Sequence, residues 1–487
     1  MPGKLVRGTS FIFIGQLVRM VAKGGLIFLL TRYLLQPAEY GLLFLTLSVL
    51  SVALLLANLG IPKAGAKYIT EYRESAPELV STVVQKTLIY NCIAIGAVSV
   101  GIYFMNDRVA TFVGEPGISG LLLLGIGYVA IKSLSDTFRM FFQGFNRMGL
   151  VATVSITTNV LLVLFVPVLV VLGYGLEGAL VGYVLSSAGG ALIGSVVLFR
   201  RFYERHNVGK DLRKKVSRRI LNYSLPLTFT MSANVINSRA DTILLSIFRG
   251  PTAIAFYTLG KQISDFLITP ANSLGFGVSP TYGERKANDE LERASEIYEQ
   301  SFIYTVAIYA PAAAGIVFVA EPTVRLLFGS DYVGAGQVLQ IFSVFVFLRA
   351  LDAITTDALD YLGRARARAV AKGATSVANV GLNIVLIPLY GVIGAAAATV
   401  ITYSIYVGAE LFVIADELPI GLRRLLRMSS TVGSITVGMS AVVYPLTGFI
   451  SGILSLVGVI GIGGGIWVVL TVLTGVVDIR QLSSSLT

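Results

Sequence analysis

Two basic residues one helical turn apart, Arg19 and Lys23, stand in the middle of the first apolar stretch, residues 9–31, which holds no acidic residue to neutralise them. An ionisable side chain at membrane depth costs roughly 2.5–3.5 kcal/mol even on the lenient insertion scale, so it faces a partner or a wet cavity. The i, i+4 spacing puts both cations on one helix face. That face calls for an anion, supplied by other helices or by a bound molecule.

Other apolar stretches carry the basic residues Lys132, Arg139, Arg239, Lys261 and Arg349 and the acidic residues Asp136, Asp241, Asp265, Asp352, Asp357 and Glu410. Within single helices, Lys132 or Arg139 can reach Asp136, Lys261 can reach Asp265, and Arg349 can reach Asp352. Arg239 and Asp241 cannot pair this way, because two residues turn a helix by about 200°. At about 1.5 Å per residue, Arg19, Lys23, Lys261 and Asp265 fall near mid-depth and Arg239 toward the outer half. A cationic cleft of Arg19, Lys23, Arg239 and Lys261 suits a phosphate-bearing group, which arginine grips in a bidentate manner. The plainer reading is that these cations close structural ion pairs with Asp136, Asp352, Asp357 or Glu410. Asp241, Asp265 and Asp357 are candidates to bind a coupling proton or sodium ion, with structural pairing again the plainer alternative.

The elements that must hold these residues are membrane helices. With 55% apolar and 13% charged residues and a mean hydropathy of +0.78, the chain lacks the polar surface for 487 residues of soluble domains. About fourteen windows have the length of one crossing: 9–31, 39–60, 85–105, 118–142, 151–172, 177–199, 222–247, 252–276, 301–320, 335–359, 369–388, 393–415, 429–447 and 451–475. The fold class is therefore an all-α polytopic membrane protein. The first window is long, internally charged and followed by further spans, so it is expected to stay in the mature chain. The 51 glycines suit close helix packing.

Of the 38 Lys and Arg residues, 27 fall on the connections and rims of one side, from Lys4 and Arg7 through the 200–219 segment to Arg480, and 4 on the other: Arg32, Arg108, Arg249 and Arg325. By the positive-inside rule both termini are cytosolic. The +11 net charge is thus mainly topological signal. Nucleic acid is not an expected partner, since no basic run is interleaved with aromatics, and contact of the 200–219 segment with anionic lipid is a secondary use. The lone Cys92 and lone His206 form no disulfide framework or thiol metal site; no cofactor or metal is expected. The outer connections run to about a dozen residues, too short for a catalytic domain.

The chain repeats itself. Gln36-Pro37-Ala38 recurs as Gly250-Pro251-Thr252 and Ala57-Asn58 as Ala271-Asn272; Tyr174-Gly175 with Gly178-Ala179 recurs as Tyr390-Gly391 with Gly394-Ala395. The offset spans six windows, an even number, so the halves are parallel. The expected organisation is a six-helix lobe at 1–199, a basic cytosolic connection at 200–221, a second six-helix lobe at 222–415, and two extra helices with a tail at 416–487. Gly461, Gly463, Gly464 and Gly465 in the last helix read as a packing surface.

The run NIVLIPLYGVIGAAAATVITY at 383–403 resembles the eleventh-to-twelfth-helix junction of the polysaccharide transporters, the oligosaccharide-lipid flippases of O-antigen type. RYLLQPAEYG at 32–41 and Tyr223-Ser-Leu-Pro226, followed by Asp241, are similar to the same family. The resemblance implies the multidrug/oligosaccharidyl-lipid/polysaccharide exporter fold, two six-helix lobes in a V around a central cavity working by alternating access. It also implies a polyprenyl- or dolichyl-linked sugar phosphate or pyrophosphate as cargo, taken from the cytoplasmic membrane by a chain expected to act as a monomer. A multidrug or cation antiporter of that superfamily is the main alternative, though a pump for cationic drugs should place acid, not Arg19 and Lys23, in its first helix. A membrane-embedded glycan ligase or polymerase is disfavoured by the short outer connections and their lack of a His or paired-carboxylate constellation.

Overall fold

The computed structural model describes residues 20–204, 206 and 208–475. Arg19, and Lys4, Arg7, Arg205 and Arg480 of the topological count, lie outside the described residues. Every regular element described is a helix. They are α1 (residues 20–34, closing on the wide turn Leu30–Leu34), α2 (Pro37–Asn58), α3 (Ile61–Ser75), α4 (Val80–Phe112), α5 (Ser119–Gly144), α6 (Met148–Leu169), α7 (Gly175–Arg201) and α8 (Lys210–Arg249). After them come α9 (Pro251–Leu267), α10 (Thr269–Ala287), α11 (Leu291–Phe328), α12 (Gly334–Tyr361), α13 (Ala365–Tyr390), α14 (Val392–Glu417), α15 (Leu422–Leu446) and α16 (Ile453–Leu473).

The protein is an all-α polytopic membrane protein. Among the described residues, ten helical stretches are long and apolar enough to cross a bilayer, and one of these, Met148–Arg201, comprises α6 and α7. Each of the fourteen predicted windows falls on helix, the first through its described part. The windows at 222–247 and 252–276 do not stand out by hydropathy, because α8 carries Arg239 and Asp241, while Lys261 and Asp265 lie in α9, which is separated from α10 at Ile268. Large apolar side chains point outward, Leu454 at 90% exposure and Phe412 at 77%, a surface that only hydrocarbon satisfies.

The chain divides into two compact units, Met1–Ile254 and Ala255–Thr487. In the first, α5 packs on α2, α3, α4 and α7, and α8 packs on α2, α3 and α4. Much of the predicted connection at 200–221 is helical, since α7 runs to Arg201 and α8 begins at Lys210. An aromatic and acidic strip on α3 holds that extension: Arg219 reaches Glu71 at 2.8 Å and donates to the Tyr72 hydroxyl at 2.6 Å, and Lys67 lies 3.9 Å from the Tyr223 ring centre. In the second unit, α12 packs on α10, α11 and α14, α13 pairs with α14, and α15 and α16 lie along α11.

The repeat read from short motifs is carried by the helices. Pro37 and Pro251 each stand at the first position of their helix, where proline's missing N–H is no loss. Gln36 donates its backbone N–H to Glu39 at 2.9 Å, closing the start of α2. Gly175 (φ 49°, ψ −132°) and Gly391 (φ 62°, ψ −136°) share one backbone conformation open essentially to glycine, and each turns one helix back on the next. Three residues on, Gly178 and Gly394 face the carbonyls of Leu169 and Leu386, so close that a side chain there would collide.

A second correspondence joins the breaks that follow α2 and α9. After α2 the chain passes through Leu59 (φ 44°) and Gly60 (φ 66°), and buried Asn91 of α4 donates to the Ala57 carbonyl at 3.0 Å. Asn91 also meets Ser133 at 2.9 Å and Thr137 at 2.9 Å on α5. At the α9–α10 break, Tyr309 of α11 donates its hydroxyl to the Leu267 carbonyl at 3.1 Å and accepts the Ala271 N–H at 3.1 Å. In hydrocarbon a backbone group freed by a break needs such a substitute partner.

Candidate functional site

Ionisable side chains within the spans sort differently in the two units. In the first, α5 carries a triad one turn either side of Asp136, with Lys132 Nζ 2.8 Å and Arg139 Nη2 3.1 Å from its Oδ1. Both in-helix pairings expected from spacing are formed. Tyr128 lies two turns before Asp136 on the same helix, in edge-on contact with Tyr183 of α7 at 6.2 Å between ring centres. Arg239, half-buried on α8, lies within electrostatic reach of Tyr128, as Asp136 does. On α5 and α8 the spans thus hold three cations, Lys132, Arg139 and Arg239, against two carboxylates, Asp136 and buried Asp241, among the described residues. Such a surplus in a poorly hydrated place attracts an anion, and arginine and tyrosine are suited to hold phosphate oxygens. Lys23 is an exposed residue of α1, and Asp241 is buried on α8.

In the second unit acidic side chains are the more numerous: Asp265, Asp352, Asp357, Asp360 and Glu410 stand against Lys261, Arg349, Arg368 and Lys372. Asp265 of α9 binds Arg349 of α12, a partner on another helix rather than the Lys261 expected within its own. Lys261 lies 5.6 Å from the ring centre of Tyr257, whose hydroxyl meets Thr399 at 3.1 Å. Asp360 takes both a 3.0 Å and a 2.8 Å bond from Arg368. Asp357 lies against Gly275 of α10.

Asp352 does not close on Arg349 as spacing suggested. It accepts from Thr356 at 2.6 Å and from the Tyr403 hydroxyl of α14. Glu410, only 1% exposed, accepts from the Tyr406 hydroxyl and lies 2.8 Å from the same Thr356. Lys372 of α13 lies 4.1 Å from the ring centre of Tyr406 and 4.5 Å from that of Tyr403. The sequence reading counted Asp352 and Glu410 only as counter-charges for the cations. The signal that could have set them apart is Tyr403, Tyr406 and Glu410 at i, i+3 and i+7, one polar face on an otherwise apolar helix.

Outside the spans the charges staple turns. Glu290 ahead of α11 meets Arg285 and, at 2.9 Å, Arg293; the Arg285 hydrogen bond, then Arg293, hold its carboxyl below the usual range. Buried Glu299 accepts the Gly421 N–H at 2.6 Å and Arg424 at 3.2 Å, tying α15 to α11.

An all-α polytopic membrane protein with ionisable groups set inside its spans has the architecture of a membrane transporter. The chain belongs to the polysaccharide biosynthesis protein family, whose model matches residues 5–279; the MatE model matches residues 226–389. It is similar to a probable low-salt glycan biosynthesis flippase, Agl15, of Haloferax volcanii, at 22% identity over 76% of this chain and 75% of that protein. In fold it is similar to the lipid II flippase MurJ, with a TM-score of 0.75 at 17% identity over 96% of this chain and 98% of that one. It is also similar to a multidrug resistance MATE family transporter of the MOP superfamily, with a TM-score of 0.65 at 18% identity over 85% of this chain and 96% of that one.

Proposed function

We propose that the protein is a flippase that carries a lipid-linked oligosaccharide, on a polyprenyl or dolichyl phosphate or pyrophosphate, across the cytoplasmic membrane by alternating access. The observation that supports this reading is the excess of basic side chains within α5 and α8, Lys132, Arg139 and half-buried Arg239 against Asp136 and Asp241, which suits a phosphate head group better than a cationic drug. Membership of the polysaccharide biosynthesis family supports it. The site is proposed to comprise Arg19, Lys23, Arg239 and Lys261, with Asp241, Asp265 and Asp357 as candidates for ion coupling by a proton or sodium. No catalytic step is assigned; the chain works as a monomer among membrane lipids. The functional lobes follow the repeat order, 1–199 and 222–415, joined by 200–221 and followed by 416–487.

The purified chain in proteoliposomes should move a fluorescent polyprenyl-pyrophosphate oligosaccharide between leaflets and leave cationic dyes in place. The MatE match over 226–389 favours the multidrug alternative. Dye movement without glycolipid movement would establish that alternative and overturn the flippase.

Both termini are proposed to be cytosolic, on the basic asymmetry of the connections. With Cys92 replaced by serine, cysteines placed at Thr111 and Ser330 should react with an impermeant thiol reagent added to intact cells, and one at Glu204 should not. Labelling at Glu204 would reverse the orientation.

A further inference from the structure

The contacts of Asp352 and Glu410 outnumber the protons available to make them. Tyr403 to Asp352, Tyr406 to Glu410, Thr356 to Asp352 and Thr356 to Glu410 are four oxygen–oxygen contacts at hydrogen-bond distance. The three hydroxyl groups supply three protons, since each carries one. With both carboxyls ionised, one contact would oppose two bare lone pairs inside a helix bundle, an arrangement a buried site does not sustain.

The charges give the same answer independently. Arg349 is paired with Asp265, and Arg368 with Asp360 while also reaching the Tyr406 hydroxyl, which leaves Lys372 as the cation facing the two carboxyls with no carboxylate of its own among the described residues. Neutral hydroxyls complete the surroundings: Tyr298 of α11 bonds Thr355 at 2.9 Å, and Tyr403 and Tyr406 come from α14. Asp357 lies against Gly275 of α10, and Arg424 of α15 is held by Glu299. The site is short of one proton by hydrogen-bond count and of one positive charge by charge count.

Glu410 Oε2 identifies where the proton goes. This oxygen is fully buried and has no hydrogen-bond partner among the described residues. As half of an ionised carboxylate it would be a charged oxygen without a donor; as the carbonyl oxygen of a neutral acid it needs far less. We propose that Asp352 and Glu410 form a one-proton binding site bridged by Thr356, with the proton on Glu410 Oε1 at neutral pH. Glu410 then donates to Thr356 Oγ1, Thr356 donates to Asp352 Oδ1, Tyr403 donates to Asp352 Oδ2 and Tyr406 to Glu410 Oε1. Four contacts have four protons, and Lys372 balances the one remaining negative charge. The site stands whatever cargo the protein carries.

Infrared spectroscopy of the full chain in lipid nanodiscs tests this, because a protonated carboxyl absorbs apart from a carboxylate. The wild type should show a protonated-carboxyl band at neutral pH that disappears only on alkalinisation, equally in sodium-free and sodium-rich buffer. Glu410→Gln should lose that band. Should Glu410→Gln fail to accumulate, the nearly isosteric Thr356→Val should displace the pH at which the band disappears. Absence of the band in the wild type at neutral pH, its removal by sodium at constant pH, or a transition indifferent to both substitutions would each overturn the proposal; the sodium result would assign the site to that ion instead.

Discussion

Glycolipid movement by the Arg239→Ala protein is expected to fall by roughly ten- to a hundred-fold, with the amount of folded protein near normal. A charge-assisted hydrogen bond to phosphate contributes about 1.5–3 kcal/mol, and each 1.4 kcal/mol or so is about tenfold in loaded protein. The same loss is expected for Arg19→Ala, and Arg19→Lys should retain part of the activity, since lysine keeps the charge but loses the bidentate grip. Stability distinguishes this from a structural role. Removing one partner of a buried ion pair strands the other and destabilises by about 3–5 kcal/mol. Asp136, the carboxylate near Tyr128, keeps Lys132 and Arg139 when Arg239 is gone, so the fold should not register the change. Movement that survives Arg239→Ala, or a loss matched by loss of protein, would refute the phosphate-binding role.

Asn91→Leu is expected to have the largest effect on stability. The two side chains are close in size, so the substitution removes polarity and little else. It deprives the Ala57 carbonyl of its donor just before the α2–α3 break and leaves Ser133 and Thr137 without the amide they face. Ser133 keeps its bond to Asn58 at 2.7 Å and Thr137 its bond to the Ser133 carbonyl at 2.8 Å, so the Ala57 carbonyl is the group left unmatched, at a cost of about 1–3 kcal/mol. Thermal unfolding in detergent should show a clear drop in midpoint. An unchanged midpoint would mean that water reaches this node and that the amide is dispensable.

What could be read from the chain was whatever is local along a helix. The triad around Asp136 follows from spacing alone, and the short motifs that marked the repeat turn out to be helix starts and glycine hairpins, both set by backbone geometry. Pairing between helices was not legible: nothing near Asp265 or Arg349 in sequence names the other, because the choice depends on which faces the bundle brings together. The same limit hid the Asp352–Thr356–Glu410 cluster, since the polar face of α14 is legible but its pairing with Asp352 and Thr356 of α12 is not. Hydropathy also understated α8, α9 and α10, since charge and helix breaks lower the average in the segments that carry candidate residues.

The two helix breaks differ in one respect that bears on how the units bend. Tyr309 touches backbone on both sides of the α9–α10 break, the Leu267 carbonyl before it and the Ala271 amide after it. Asn91 grips only the carbonyl on the near side of the α2–α3 break. One phenol thus acts as a strut across its joint, whereas the amide tethers a single arm. Flexing α9 against α10 must stretch or break that bridge, whereas flexing α2 against α3 leaves the bonds to Ala57 and Asn58 in place. Among the described residues, then, the α9–α10 joint carries a hydrogen-bonded bridge across its break that the α2–α3 joint lacks, where Asn91 and Ser133 hold only the near side.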